Sequence, residues 1–457
     1  MELIGMNCPI AHQSDRIPTE ERCATMMDRV VWRVENDGLH GNGLDPVQDD
    51  EHGYSWTTMR LVLDIPTCIL TFLTLTDCAI PYYRTHSNFG SEGRRKVRQV
   101  QRDLSYRWPQ NAVPYFVGNV TSNIKKSVRM AIEELHAWTC IRFQSVNDKY
   151  TGGDAVRIVD LGSCSSPIGR LQIGVQDVSL TKNCWGMGTA IHELMHAIGI
   201  EHTQSRSDRN RYLDILTQNI DQRDLPNFEL LSPRLWANLV PYDYGSVMHY
   251  SADSFSNKDD EQTMLPKDRS FIETMGSMIP NFYDFDQINQ YYQCYDACKN
   301  AGQVANCANG GIPNPNNCQV CNCPMGYGGD LCDQRPDGCG STLIATDRWQ
   351  KQKLTVKFSK NDDQYFTFCN SWVVGPANRT LQVIYEITSE SARRQICSFG
   401  CYEGGVEVKH LEDPRITNDR DCCLDTPLNV TTTVNPLPVI LYTAATTVTY
   451  EFSYRYL

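Results

Sequence analysis

The sequence predicts an α+β chain of three successive folded parts: a mixed helix-and-strand domain, a small disulfide-rich module and a β-rich module. Three observations predict it. Before Cys294 the apolar spacing switches between the periods of strands and helices. From Cys298 to Cys332 six cysteines crowd a stretch with little apolar content, too small a core to hold without staples. From Cys339 onward the pattern is β. In "TVTYEFSYRY", Val448, Tyr450, Phe452, Tyr454 and Tyr456 share one face, and Thr449, Glu451, Ser453 and Arg455 the other.

Residues 1–58 are polar, lack clear periodicity and stay unassigned; the natural start is read at Met59. From there "MRLVLDIPTCILTFLTLTDCA" has Arg60, an apolar run from Ile65 to Thr76 and small residues near Ala79, the layout of a signal peptide over 59–79. Asp64, Pro66 and Asp77 make it a poor membrane span. A buried strand and a signal anchor are the alternatives. Residues 80–98 read as a propeptide whose basic end, "GRRKVR", invites a cut after Arg98, with Arg102 as a second possible cut and a solvated loop as the alternative. "YRWPQNAVPYFV", with Pro at both ends, reads as a strand at a sheet edge. "TSNIKKSVRMAIEELHAW" puts Ile124, Val128, Ala131, Leu135 and Trp138 on one helix face, capped by Thr121 or Ser122. "CIRFQSV", "AVRIVDL" and "QDVSL" read as strands. "MGTAIHELMHAIGI" reads as a mostly buried helix ending at Gly199, and "YDFDQINQYYQC" as another helix.

The 457 residues give room for about three domains. A hydrophobic share of 41% against 21% charged excludes a disordered chain, and a formal charge of −12 argues against a nucleic-acid partner. Of twenty cysteines, four precede residue 80, three lie between 140 and 184, and thirteen between 294 and 423. Cysteine this dense implies an oxidising compartment. Sequons at Asn119, Asn378 and Asn429 fit a secreted, extracellular glycoprotein.

The chemistry sits in "HELMHAIGIEH". On a helix His192 and His196, four apart, point the same way and can share one zinc. Glu193 lies about 100° around the helix and can reach a water at the metal without being a ligand. Gly199 turns the chain so that His202 can close a three-histidine site with a fourth position open, the arrangement of a catalytic zinc. A lone H-E-x-x-H arises by chance; the five fixed residues of H-E-x-x-H-x-x-G-x-x-H are far more specific.

With "YGSVMHY", "WPQNAVPY", "TCIRF", "CWGMGTAIHELMHAIG" and "QINQYYQC", the motif resembles the astacin family of metzincin proteases over about residues 104–294. The resemblance implies a two-lobed metzincin protease domain, 99–297, with an active-site helix and a mixed sheet. It implies one Zn2+ on His192, His196 and His202, Glu193 as catalytic base, Met248 in an apolar turn beneath the metal and Tyr250 as oxyanion stabiliser. Arg206, Asp208 and Arg209 would be structural salt-bridge residues. It pairs Cys140 with Cys294 and Cys164 with Cys184. Residues 298–334 resemble an EGF-like domain, which pairs Cys298 with Cys318, Cys307 with Cys321 and Cys323 with Cys332. Residues 339–457 resemble a CUB domain, a β-sandwich, with Cys339 bonded to Cys369 and the pairing of Cys397, Cys401, Cys422 and Cys423 open. The order is similar to secreted nematode-type astacins. This implies protein or peptide substrates, extracellular matrix or cuticle proteins among the candidates, with the two modules binding substrate or partner proteins.

Three departures stand out. Thr203 follows the third histidine where relatives usually have a Glu that can hold the mature amino terminus. An amino-terminal Gln99 could cyclise and remove its charge opposite that uncharged residue. No F-x-G-D propeptide motif is found; "FGSE", Phe89 to Glu92, is out of register. "MGSM" replaces a stretch where relatives carry an Arg, with Lys267 as partial substitute. An active zinc endopeptidase made as a zymogen and an adhesive protein on a silent protease scaffold are the two function classes. Retention of all three histidines, Glu193, Met248 and Tyr250 favours the enzyme.

Overall fold

The computed structural model describes residues 99–457 apart from 183, 185, 259–260, 300, 359–364, 424–426 and 445. The expected signal peptide, propeptide, Arg98 and residues 1–58 lie outside the described residues. No helix among the described residues is long and apolar enough to cross a membrane.

Strands β1 (Val100–Gln101) and β2 (Ala112–Val117) precede helix α1 (Ser122–Trp138), followed by β3 (Arg142–Ser145), β4 (Ala155–Val159), β5 (Val175–Ser179) and helix α2 (Met187–Ala197). Thr121 caps α1 by accepting the Ile124 N–H. Ile124, Val128, Ala131 and Leu135 are buried against the sheet and α2. The sheet order is β3-β2-β4-β5. All three pairings between these strands are parallel, and the antiparallel element is a single bridge of Ser165 with Ser179 at the β5 edge. The helical crossover α1 forces β2 and β3 to run the same way. The edge position expected for the first strand is wrong, because β2 lies between β3 and β4. Pro114 is tolerated there because pairing with β4 begins only at Tyr115.

A second lobe follows α2. It has its own core of Leu213, Phe228, Tyr242, Tyr244, Met264 and Phe271, and holds β6 (Leu213–Ile215), β7 (Trp236–Ala237) and β8 (Met264–Pro266). β6 pairs with β8, and β7 returns to β1. Helix α3 (Phe282–Tyr291) opens on a capping box of Asn281 and Asp284 and packs back on the first lobe. The disulfide Cys140–Cys294 ties its end to the start of β3, and Cys164–Cys184 clips the segment entering α2.

A short helix α4 (Asp296–Lys299) leads into a module of two strands, β9 (Ile312–Asn314) and β10 (Asn317–Asn322), held by Cys298–Cys318, Cys307–Cys321 and Cys323–Cys332. Its asparagines finish α1. Asn316 Nδ2 donates to His136 O at 2.9 Å, Asn314 Nδ2 to Ala137 O at 2.9 Å and Asn322 Nδ2 to Trp138 O at 2.9 Å. These are the carbonyls that a helix end leaves unpaired.

The last part is a sandwich of a five-stranded and a four-stranded sheet around one core, with Cys339–Cys369, Cys397–Cys423 and Cys401–Cys422. In its last strand, Val448–Tyr456, Val448, Tyr450, Phe452 and Tyr454 are buried. The sandwich packs directly on the second lobe. Asp243 accepts the Thr417 N–H at 3.0 Å with Oδ2 and the Gly245 N–H at 2.9 Å with Oδ1. A Cβ on Gly245 would lie 2.4 Å from the Thr417 side chain, so this approach requires glycine. Arg420, fully buried, bonds Glu407 within the sandwich (2.9 Å) and Ser277 of the protease lobe (2.6 Å).

Candidate active site

Helix α2 buries Ala190, Ile191, Leu194, Met195 and Ala197 and turns His192, Glu193 and His196 toward the cleft between the lobes. Its end is held from outside. Trp108 Nε1 donates to Ala197 O (2.8 Å) and the Tyr292 hydroxyl to Ile198 O (2.9 Å). Gly199, at φ +97°, then reverses the chain against the Tyr291 ring and delivers His202 opposite the helix.

The three imidazoles meet at one point. His192 Nε2 lies 3.2 Å and His196 Nε2 3.1 Å from His202 Nε2. His192 Nδ1 faces Val247 O at 2.8 Å and His196 Nδ1 faces Ile200 O at 2.7 Å. A carbonyl only accepts, so both Nδ1 atoms carry the proton and both Nε2 atoms present lone pairs. His202 Nδ1 lies 2.8 Å from Glu201 Oε1, which sets the same tautomer. Converging lone pairs repel unless a cation sits among them. A tetrahedral zinc with arms of about 2.0–2.1 Å would space its ligands by about 3.3–3.4 Å, close to what is seen. The residues therefore fit zinc. Burial also pushes the imidazoles toward the neutral form that binds metal, His192 down to about 3 and His196 to about 4.

Glu193 is buried beside them, and burial pushes its carboxyl up to about 8. Its Oε2 finds no hydrogen-bond partner among the described residues. It is not one of the three converging ligands. Below the site runs the turn Tyr242–Tyr250. Fully buried Met248 gives its carbonyl to the Thr203 N–H at 2.9 Å, and Val247 orients His192. Ser246 holds the turn by donating to Asp284 (2.5 Å) and accepting the Met248 N–H (3.1 Å). The Tyr250 ring lies 4.5 Å from the His202 ring. The cleft, about 720 Å³, is walled partly by Leu230, Leu235 and Phe255, all exposed. A larger hollow of about 830 Å³, lined by Arg102, Arg107 and Lys299, contains none of these groups.

Other expected residues fall as follows. Arg206 grips Asp208 with two bonds, 2.9 and 2.8 Å. Arg209 is a correction to the salt-bridge reading: it bonds the Gln204 carbonyl at 2.9 Å and the Asn210 side chain at 3.0 Å. Lys267 pairs with Asp214 on the β6–β8 ribbon rather than lining the cleft. Gln99 is buried, and its Nε2 donates to Glu201 O (2.6 Å) and Thr203 Oγ1 (3.1 Å). In this uncut chain the Gln99 amide itself meets Thr203. Glu201 and the Val247 and Ile200 carbonyls were not anticipated. The one sequence signal was an acid directly before a ligand histidine.

Three imidazoles converging on one point, with the buried Glu193 carboxyl next to them and a buried methionine turn below, are the working parts of a zinc metallopeptidase of the metzincin class. Known proteins agree. A family model described as Astacin, a peptidase family, matches residues 100–293. Zinc metalloproteinase nas-25 of Caenorhabditis elegans is 88% identical over 398 residues, 87% of this chain and 100% of that one. Zinc metalloproteinase nas-32 of the same species is 38% identical over 378 residues, 81% of this chain and 56% of its own. High choriolytic enzyme 1, a hatching enzyme zinc-protease from Oryzias latipes, is 29% identical, with a TM-score of 0.38, covering 42% of this chain and 96% of its own. The chain belongs to the astacin family of zinc metalloproteases, and His192, His196 and His202 form its zinc-binding triad.

Proposed function

We propose that this zinc metalloprotease is a secreted endopeptidase, made as a zymogen and opened by a cut after Arg98. The observation that carries the enzymatic reading is the convergence of three imidazoles beside Glu193, whose Oε2 is unpartnered among the described residues, in a cleft open to solvent. Zinc bound there makes water acidic and polarises a peptide carbonyl. Glu193 takes the proton from the attacking water and returns it to the departing amine. Met248 and the Ser246–Asp284 bond keep the floor rigid, so that His192 stays aimed. Tyr250 donates its phenol proton to the oxygen that gains negative charge as the carbonyl is attacked. Leu230, Leu235 and Phe255 offer apolar surface to the side chains of a bound peptide.

Tyr250→Phe should therefore lower kcat by roughly 10²-fold and leave KM nearly unchanged, because the phenol acts on the transition state. Steady-state kinetics on one peptide substrate checks this, and wild-type kcat would make Tyr250 a bystander.

Secretion is supported by eight disulfides among the described residues and by the exposure of Asn119, Asn378 and Asn429. Residues 298–334 are read as an EGF-like domain on their disulfide order, first to third, second to fourth and fifth to sixth. Residues 339–457 are read as a CUB domain on their two sheets. These modules, with protein substrates of the extracellular matrix or cuticle, complete the reading. For maturation, the expected result is a secreted chain beginning at Gln99 whose appearance coincides with peptidase activity. Peptide mass spectrometry of the amino terminus tests it. Loss of one ammonia would reveal ring closure, which the two Nε2 bonds of Gln99 oppose. Full activity from a chain still carrying residues before Gln99 would contradict the zymogen.

A further inference from the structure

We propose that Glu201 is a positioning residue for the zinc site: its carboxylate faces the Nδ1–H of His202, holds that ring with Nε2 toward the metal, and makes it the strongest donor of the three. The proposal rests on the triad being the zinc site. It follows from an asymmetry among the ligands. His192 and His196 each give Nδ1–H to a backbone carbonyl, of Val247 and Ile200. His202 alone meets a carboxylate, Glu201 Oε1, at 2.8 Å. A carbonyl is a dipole, whereas a carboxylate carries a full charge, and a hydrogen bond to it is stronger. A negative charge facing Nδ1–H polarises the ring and raises the electron density on Nε2, where the metal would be held.

The carboxylate is built into place. The same Oε1 accepts the backbone N–H of His202 at 2.8 Å, so one oxygen faces two nitrogens of a single residue. The side chains are only 19% exposed for His202 and 16% for Glu201, and water weakens the pair little. The Glu201 carbonyl takes Gln99 Nε2 at 2.6 Å, which anchors the residue from the other side. His202 needs this more than its partners do. His192 and His196 ride on a helix, but His202 arrives from a loop beyond the Gly199 reversal.

The test uses the mature full chain, stripped of metal, with Glu201→Gln and Glu201→Ala beside the wild type. Zinc affinity is read by competition with a chromophoric chelator, and the ligand field by the visible spectrum of the Co(II)-loaded proteins. The expected result is about 10- to 100-fold weaker zinc binding for Glu201→Ala. Glu201→Gln should fall between, since it keeps an acceptor oxygen without the charge, and its cobalt spectrum should shift. A role confined to folding would lower the melting temperature of the alanine variant and leave the spectrum of folded Glu201→Gln unmoved. Zinc affinity of Glu201→Gln within about twofold of wild type, with superimposable spectra, would overturn the proposal. Failure of the wild type to bind zinc would instead overturn the reading of the triad.

Discussion

Glu193→Gln is expected to abolish nearly all peptide hydrolysis while leaving the zinc in place. The replacement keeps the volume of a buried side chain, so the packing around α2 is undisturbed. It removes only the basic oxygen. The three metal-facing nitrogens belong to His192, His196 and His202, so zinc content by mass spectrometry should stay at one per chain. General acid–base groups contribute on the order of 10²–10⁴-fold, and kcat should drop by that factor. Undiminished turnover would remove Glu193 from the mechanism. Loss of zinc with the rate would mean that it serves the metal rather than the water.

The second large effect is structural and lies far from the zinc. Arg420→Met should destabilise the chain by about 3–5 kcal/mol, because it breaks a buried ion network by removing one member. Arg420 and Lys409 share the two oxygens of Glu407, with side chains 1%, 2% and 1% exposed. Its loss leaves Glu407 with Lys409 as its one charged partner among the described residues and removes the bond to Ser277 across the module boundary. Replacing the whole network, by Arg420→Met, Lys409→Met and Glu407→Leu together, should restore much of the stability, since apolar side chains of similar volume carry no desolvation cost. Denaturant unfolding with the disulfides intact measures both. Wild-type stability in the single variant would show that the network contributes nothing. Because Thr417 seats on Asp243 and Gly245 at the start of the methionine turn, loosening the sandwich should also reduce activity.

These two sites show which features are local in sequence and which are not. Metal chemistry needs ligands at fixed offsets on one helix and one turn. His192, Glu193, His196, Gly199 and His202 were therefore legible as letters in a row, and the structure brings the three histidines to one point. The long amphipathic helix was legible for the same reason, period and cap both being local. Thr417, Arg420 and the asparagines at 314, 316 and 322 were not. Each acts on a partner more than 130 residues away, and no periodicity records such a pairing. Pro114 misled because proline excludes only the ladder bond its own nitrogen would make, and β4 joins one residue later. The modules read as separate beads from composition. In the structure the disulfide-rich module finishes α1 and the sandwich backs the methionine turn, so the protease lobes are completed by residues C-terminal to them.

The most direct test of the account is hydrolysis of a peptide library by the purified mature protein, with products sequenced by mass spectrometry, before metal removal, after it, and after zinc is restored. The account predicts cleavage at internal bonds, loss of all cleavage when zinc is stripped, and recovery on adding one equivalent of zinc. Cleavage that persists in the metal-free protein, or none in the zinc-loaded protein, would contradict it.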